Sequence, residues 1–223
     1  MSPRICCLNG TDGLEFSTTG VRKRCALAQE LERRRKVMSL IPAFEVGLFN
    51  AWIFMVYHFL PMPLLMLLHK GTSPEPHSDI ERKLYPIMWI VWLLGVAYSI
   101  FLPLRLGTMW FYAGFPIAMV GLIAYTLVIV TFAATPIDSE PLTKGLYGYS
   151  RHPMYITQLV MFIGVGIASA SWVFLLFAIV YTIFSFIAAV PEERYCLEKY
   201  GDAYREYMNR TPRWIGIPKS GRK

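Results

Sequence analysis

Residues 154–190, MYITQLVMFIGVGIASASWVFLLFAIVYTIFSFIAAV, run for 37 positions without a charged side chain or a histidine. As one helix this stretch would be about 55 Å long, far beyond the hydrocarbon core of a bilayer. It must therefore fold back on itself. The small residues Gly164, Gly166, Ala168, Ser169, Ala170 and Ser171 mark where a tight turn is cheapest, and they also let two helices approach closely. The expected unit is a helical hairpin across the membrane.

Working outward, three further apolar runs at 46–68, 84–104 and 110–134 are each long enough to cross a bilayer. They are interrupted by one histidine, and Asp, Glu, Lys and Arg occur only at their edges. The chain is 55% hydrophobic and 17% charged, with a mean hydropathy of +0.41, more apolar than one soluble core of 223 residues requires. The predicted fold class is all-α: a polytopic integral membrane protein with five transmembrane helices, the last two a hairpin, and a C-terminal helical segment at the membrane face. Three regions follow: a polar, basic arm over 1–42, three spans over 43–134, and a catalytic region over 135–223.

Net charge +7 would suit nucleic acid, but basic residues beside spans meet anionic headgroups or fix orientation, so no nucleic-acid partner is expected. The four cysteines Cys6, Cys7, Cys25 and Cys196 show no CxxC spacing and no histidine cluster, so no metal site or disulfide framework is indicated. Five spans put the termini on opposite sides, yet eight Lys or Arg residues precede the first span and eight follow the last. Placing the C-terminal side in the cytosol gives thirteen basic residues inside against nine outside. If translation starts at Met38, the outside count falls to one; otherwise the first 37 residues, with a short helical stretch near 22–36, form a disordered or surface-lying arm. The basic region is too long, and the apolar run after it too extended, for a signal peptide.

Two polar clusters flank the hairpin, and folding it back brings them together at one membrane face. The first is PLTKGLYGYSRHPMY at 141–155, with glycines at 145 and 148 for tight turns and Pro153 suited to a first helical turn. The second is PEERYCLEKYGDAYREY at 191–207, a charged helical stretch broken by Gly201. Taken alone, Arg151 would snorkel, Glu192 and Glu193 would start a solvated helix, and the tyrosines would form an aromatic belt. Their convergence in a chain otherwise poor in polar groups near its spans points to chemistry instead.

Over residues 135–217 the sequence resembles the isoprenylcysteine carboxyl methyltransferase family with its many prokaryotic members and, more distantly, the phospholipid N-methyltransferases. The resemblance rests on Gly145-x-Tyr147, Arg151-His-Pro-x-Tyr155, Glu192-Glu193, and Lys199-Tyr-Gly-x-x-Tyr204-x-x-Tyr207 followed by Arg210-Thr-Pro212. It implies an S-adenosylmethionine-dependent methyltransferase whose cofactor pocket is roofed by the C-terminal segment and open to the cytosol, with a lipophilic or small acceptor entering from the bilayer. Carried over by resemblance, Leu142, Tyr147, His152, Pro153, Met154 and Tyr155 contact the cofactor, and Glu192 and Glu193 bind its cationic or hydroxyl groups. Arg151 and Arg210 are the expected catalytic pair, facing an anionic group on the acceptor or the cofactor carboxylate. No metal is required, since methyl transfer from a sulfonium needs mainly alignment and exclusion of water.

The resemblance breaks at Ala188 and Ala189, where the eukaryotic isoprenylcysteine enzymes carry an arginine; this counts against a prenylated protein as acceptor. A rival reading comes from Cys196-Leu-Glu-Lys199-Tyr200-Gly201, which is similar to the ending of NADPH-dependent membrane sterol reductases. Pro153 and the paired glutamates argue for methyl transfer over that reading, and over a non-catalytic lipid-binding or transport role.

Overall fold

The computed structural model describes residues 46–61, 79–136 and 140–217, all within one compact unit, Leu40–Lys223. The expected arm, its short helix and Met38 lie outside the described residues. Among the described residues six α-helices follow in order: α1 Trp52–Phe59, α2 Asp79–Ile100, α3 Met109–Ala134, α4 Pro153–Ala168, α5 Trp172–Tyr200 and α6 Asp202–Arg210. A 3-10 turn, Gly145–Gly148, precedes α4. Among the described residues there is no β-strand, only an isolated bridge between Asn50 and Pro103.

Arg82–Ile100, Met109–Ala134 and Trp172–Tyr200 are long and apolar enough to cross a membrane, and α4 is a shorter apolar helix of 16 residues. Many side chains of the three long helices face outward; Leu94, Val120 and Leu176, one on each, are 60–65% exposed. Water would not tolerate such faces on a monomer, whereas lipid costs them nothing. The protein is therefore a multi-pass membrane protein. The expected first span at 46–68 is described only as far as residue 61; Leu60, after α1, keeps a helical backbone and its N–H donates to the Val56 carbonyl at 2.9 Å.

The hairpin forms where expected, but the turn is narrower than the small-residue run. It is confined to Ser169–Ser171, with Ala170 at φ +52° and Ser171 capping α5 by accepting from the Phe174 N–H at 3.2 Å. Gly164 and Gly166 stay helical and serve close packing. A Cβ on Gly164 would sit 2.1 Å from the Ala118 nitrogen, and one on Gly121 2.3 Å from the Met161 nitrogen, so α3 and α4 touch backbone to backbone. On the other side α2 packs on α5, with Gly95 against the Phe177 ring. The histidine of the first run, His58, is buried; the Gln158 amide approaches its Nε2 at 2.9 Å and the Tyr125 hydroxyl donates to its carbonyl at 3.0 Å. These bonds tie α1 to α3 and α4 at the level just below the start of α4.

Candidate active site

The site assembles at the end of the hairpin opposite the Ser169–Ser171 turn. Pro153 occupies the first turn of α4, where its missing N–H costs nothing, and His152 precedes it with a non-helical backbone, φ −126° and ψ 57°. Helix α5 continues past Val190, the end of the uncharged run, so that Glu192 and Glu193 rise beside His152. Gly201, at φ +54°, then turns the chain into α6. Tyr204, Tyr207 and Thr211 form a buried stripe at helical spacing and hold α6 against the α4 entrance. The Tyr207 hydroxyl donates to the Tyr147 carbonyl at 2.6 Å, the Arg151 N–H to the Pro212 carbonyl at 3.0 Å, and the Ser150 hydroxyl to the Arg213 carbonyl at 3.2 Å. The segment after α6 is thereby strapped across residues 147–151.

Under this strap lies a network of five charged groups. Arg213 grips Glu193 with Nη2–Oε2 at 2.6 Å and Nε–Oε1 at 3.1 Å, a two-pronged contact. Arg151 reaches the same carboxylate at 3.3 Å and His152 Nε2 at 3.1 Å. His152 Nδ1 lies 3.4 Å from Glu192, which also accepts a short hydrogen bond from the Tyr155 hydroxyl. Only an imidazolium can offer a proton to both carboxylates at once. Burial alone would push the His152 imidazole down, but the bonds and charges of Glu192 and Glu193 outweigh it and hold the group above its ordinary value. With His152 charged, three cations face two carboxylates, and the excess favours an anionic ligand. Trp214 completes the strap, stacked on Phe186 with ring centroids 3.8 Å apart.

A cavity of about 520 Å³ opens beside this network, within the size range of small-molecule sites. Leu142, Tyr147, Arg151, His152, Met154, Tyr155 and Glu192 all border it, so seven of the ten anticipated residues meet at one place. Pro153 and Glu193 stand behind: the first sets the start of α4, and the second anchors Arg151, His152 and Arg213. Arg210 is not brought to the rim. It is half exposed on α6, 3.7 Å from Glu206, because the buried stripe 204, 207, 211 leaves position 210 facing out. Arg213 stands where Arg210 was expected. The spacing of Tyr204 and Tyr207 carried that signal, since it fixes which face of α6 is covered.

The sequence reading also missed Tyr85 and Trp89 of α2 and Phe132 of α3, which wall the cavity with aromatic rings, and Tyr195, Cys196 and Tyr200 of α5. Two nitrogens of Arg151, Nε and Nη1, are buried without a hydrogen-bond partner, although the side chain is only 8% exposed.

Residues 104–203 match the phospholipid methyltransferase family. That segment takes in α3 through the end of α5 and thus most of the network, while α2 and the strap fall outside it. Methanethiol S-methyltransferase 1 from Bradyrhizobium diazoefficiens is 39% identical over 69 residues, 31% of this chain and 24% of that protein. Protein-S-isoprenylcysteine O-methyltransferase from Schizosaccharomyces pombe is 33% identical over 82 residues, 36% of this chain and 34% of its own. The chain thus spans between a quarter and a third of the length of these curated relatives. Both relatives are named as methyltransferases, in keeping with the family resemblance read from the motifs.

Proposed function

We propose that the protein is a membrane methyltransferase that uses S-adenosylmethionine and methylates a small or lipophilic acceptor. The observation that carries the reading is Arg151, which borders the cavity beside a cationic His152 and has two buried nitrogens without partners. The residues fit the donor: a guanidinium fork takes its carboxylate, Glu192 takes an ammonium or hydroxyl group, and the tyrosine faces suit a sulfonium cation. The matches to the phospholipid methyltransferase family and to two named methyltransferases support the same reading.

When bound, the cofactor supplies an electrophilic methyl group on a positively charged sulfur. The protein's residues bind, orient and dry the site. Arg151 and Glu192 fix the two ends of the donor's amino-acid moiety, and Leu142, Tyr147 and Met154 pack against its remainder and exclude water. Held there, the donor would supply its methyl carbon to the acceptor's nucleophilic atom and would leave as a neutral thioether. A thiol or amine acceptor sheds one proton, for which Glu192 is the carboxylate at hand. Glu193 and Arg213 touch neither reactant and position Arg151 and His152. The site faces the cytosol in this reading, consistent with the greater count of basic residues on that side.

Titrating the purified protein with S-adenosylmethionine, S-adenosylhomocysteine and NADPH tests the proposal. Saturable binding of both sulfur compounds is expected. Binding of NADPH alone would overturn methyl transfer in favour of a reductase.

A further inference from the structure

Tyr85, Trp89 and Trp92 recur at i, i+4 and i+7 and so form one stripe along α2. Tyr85 and Trp89 wall the cavity, whereas Trp92 is buried in the core. The direction of the stripe is fixed by its far end: Tyr98, two turns on, bonds Ser171 at the hairpin tip at 2.8 Å. Passing from Tyr85 to Trp92 therefore leads away from the charged network and about 10 Å deeper into the apolar layer. Trp89 stands on that path, about one turn past Tyr85. It meets Phe59 edge to face at 5.9 Å and Trp92 at 5.7 Å, and Phe59 in turn lies on Trp92 at 4.8 Å. Behind the indole is packed aromatic core. Trp89 also borders the cavity, and as a whole it is 46% exposed.

We infer that Trp89 closes the deep end of the cavity and limits the acceptor to a short, uncharged chain, with a short alkyl thiol as the class it fits. This inference rests on the proposed methyl transfer. Among the lining residues Tyr85, Trp89, Phe132 and Met154 present rings and a thioether, and the cavity's cations Arg151 and His152 belong to the charged network, so an acceptor carrying a carboxylate or phosphate beside Trp89 would lose hydration without a compensating cation. A neutral thiol loses little. A long alkyl or isoprenoid tail would have to displace Trp89 against Phe59 and Trp92, and pockets of this kind discriminate by roughly tenfold or more for each methylene they cannot hold.

The test uses the full chain in lipid nanodiscs, S-adenosylmethionine labelled on its methyl group, and ethane-, butane- and octanethiol. Wild type should show kcat/KM for octanethiol at least about tenfold below that for butanethiol. Trp89→Ala should reverse the order, and Trp89→Leu should shift it part of the way. Titration with S-adenosylhomocysteine runs alongside and reports whether each variant is folded. If Trp89→Ala does not bind it, Trp89→Leu decides. A variant that binds S-adenosylhomocysteine yet keeps the wild-type chain-length profile overturns the role of Trp89. Wild type that binds S-adenosylhomocysteine but methylates no thiol overturns the acceptor class, while leaving methyl transfer standing. Wild type that does not bind S-adenosylhomocysteine removes the methyl-transfer reading itself.

Discussion

Glu192 and Glu193 are neighbours in sequence and chemically alike, yet their surroundings predict opposite consequences when each is changed to glutamine. Glu193 is 5% exposed on its side chain and is the counterion of Arg151 and His152, each 8% exposed, and of Arg213. Removing it strands two buried cations, a loss of about 3–5 kcal/mol for a buried pair broken on one side. Because Arg213 is 41% exposed and can turn to water, the lower end, about 3 kcal/mol, applies. For a protein of this size that lowers Tm by about 6–12 °C. The Glu192 side chain is 34% exposed and shares only His152 and Tyr155, so Glu192→Gln should cost no more than about 1 kcal/mol. Its effect falls on the ligand instead, with S-adenosylhomocysteine affinity reduced at least about tenfold by loss of a charge-assisted bond. Thermal unfolding in detergent and calorimetric titration of both variants separate the two. Equal Tm losses, or a stable Glu193→Gln protein, would refute the division into anchor and ligand-facing carboxylate.

The charge on His152 gives a pH dependence of defined sign. A histidine held above its ordinary value contributes stability that is fully present below about pH 6.5 and is lost as pH rises through the elevated value. Wild-type Tm should fall across that window, and His152→Gln should flatten the fall; an unchanged slope would refute the imidazolium. Arg151→Lys should fold but bind S-adenosylhomocysteine at least about tenfold more weakly, whereas Arg210→Lys should change stability and affinity by less than about 0.5 kcal/mol. A strong Arg210 effect would restore it to the site. Gly164→Val places side-chain atoms in the Ala118 backbone and should destabilise by about 1–3 kcal/mol or prevent assembly, read as lost detergent-resistant Tm.

Much of this arrangement was legible because the bilayer imposes simple rules. The uncharged length of 154–190 could be satisfied only by a hairpin, and the hairpin alone brought Arg151 and His152 to Glu192 and Glu193. The turn's narrowness was not legible, since glycine serves both turns and close helix contacts; only the position of Ala118 shows that Gly164 does the second. Arg210 was misplaced because a motif gives residue order without facing, and facing depends on how α6 lies on residues 147–151. Tyr85 and Trp89 carried no signal at all. In a membrane helix an aromatic residue toward lipid and one toward a cavity look alike until the packing of α2 on α5 is known.

The strap over residues 147–151 has a consequence for how the protein is made. Arg151 and His152 leave the ribosome well before Glu193, and earlier still than Arg213, so for some forty residues of synthesis their charges have no counterpart. Unbalanced charge does not enter hydrocarbon, and it pins the start of α4 at the water face while α5 is threaded across. The same two residues that border the cavity thus act first as a depth stop for the hairpin. Their burial comes last, when the chain beyond Gly201 closes over a register already set.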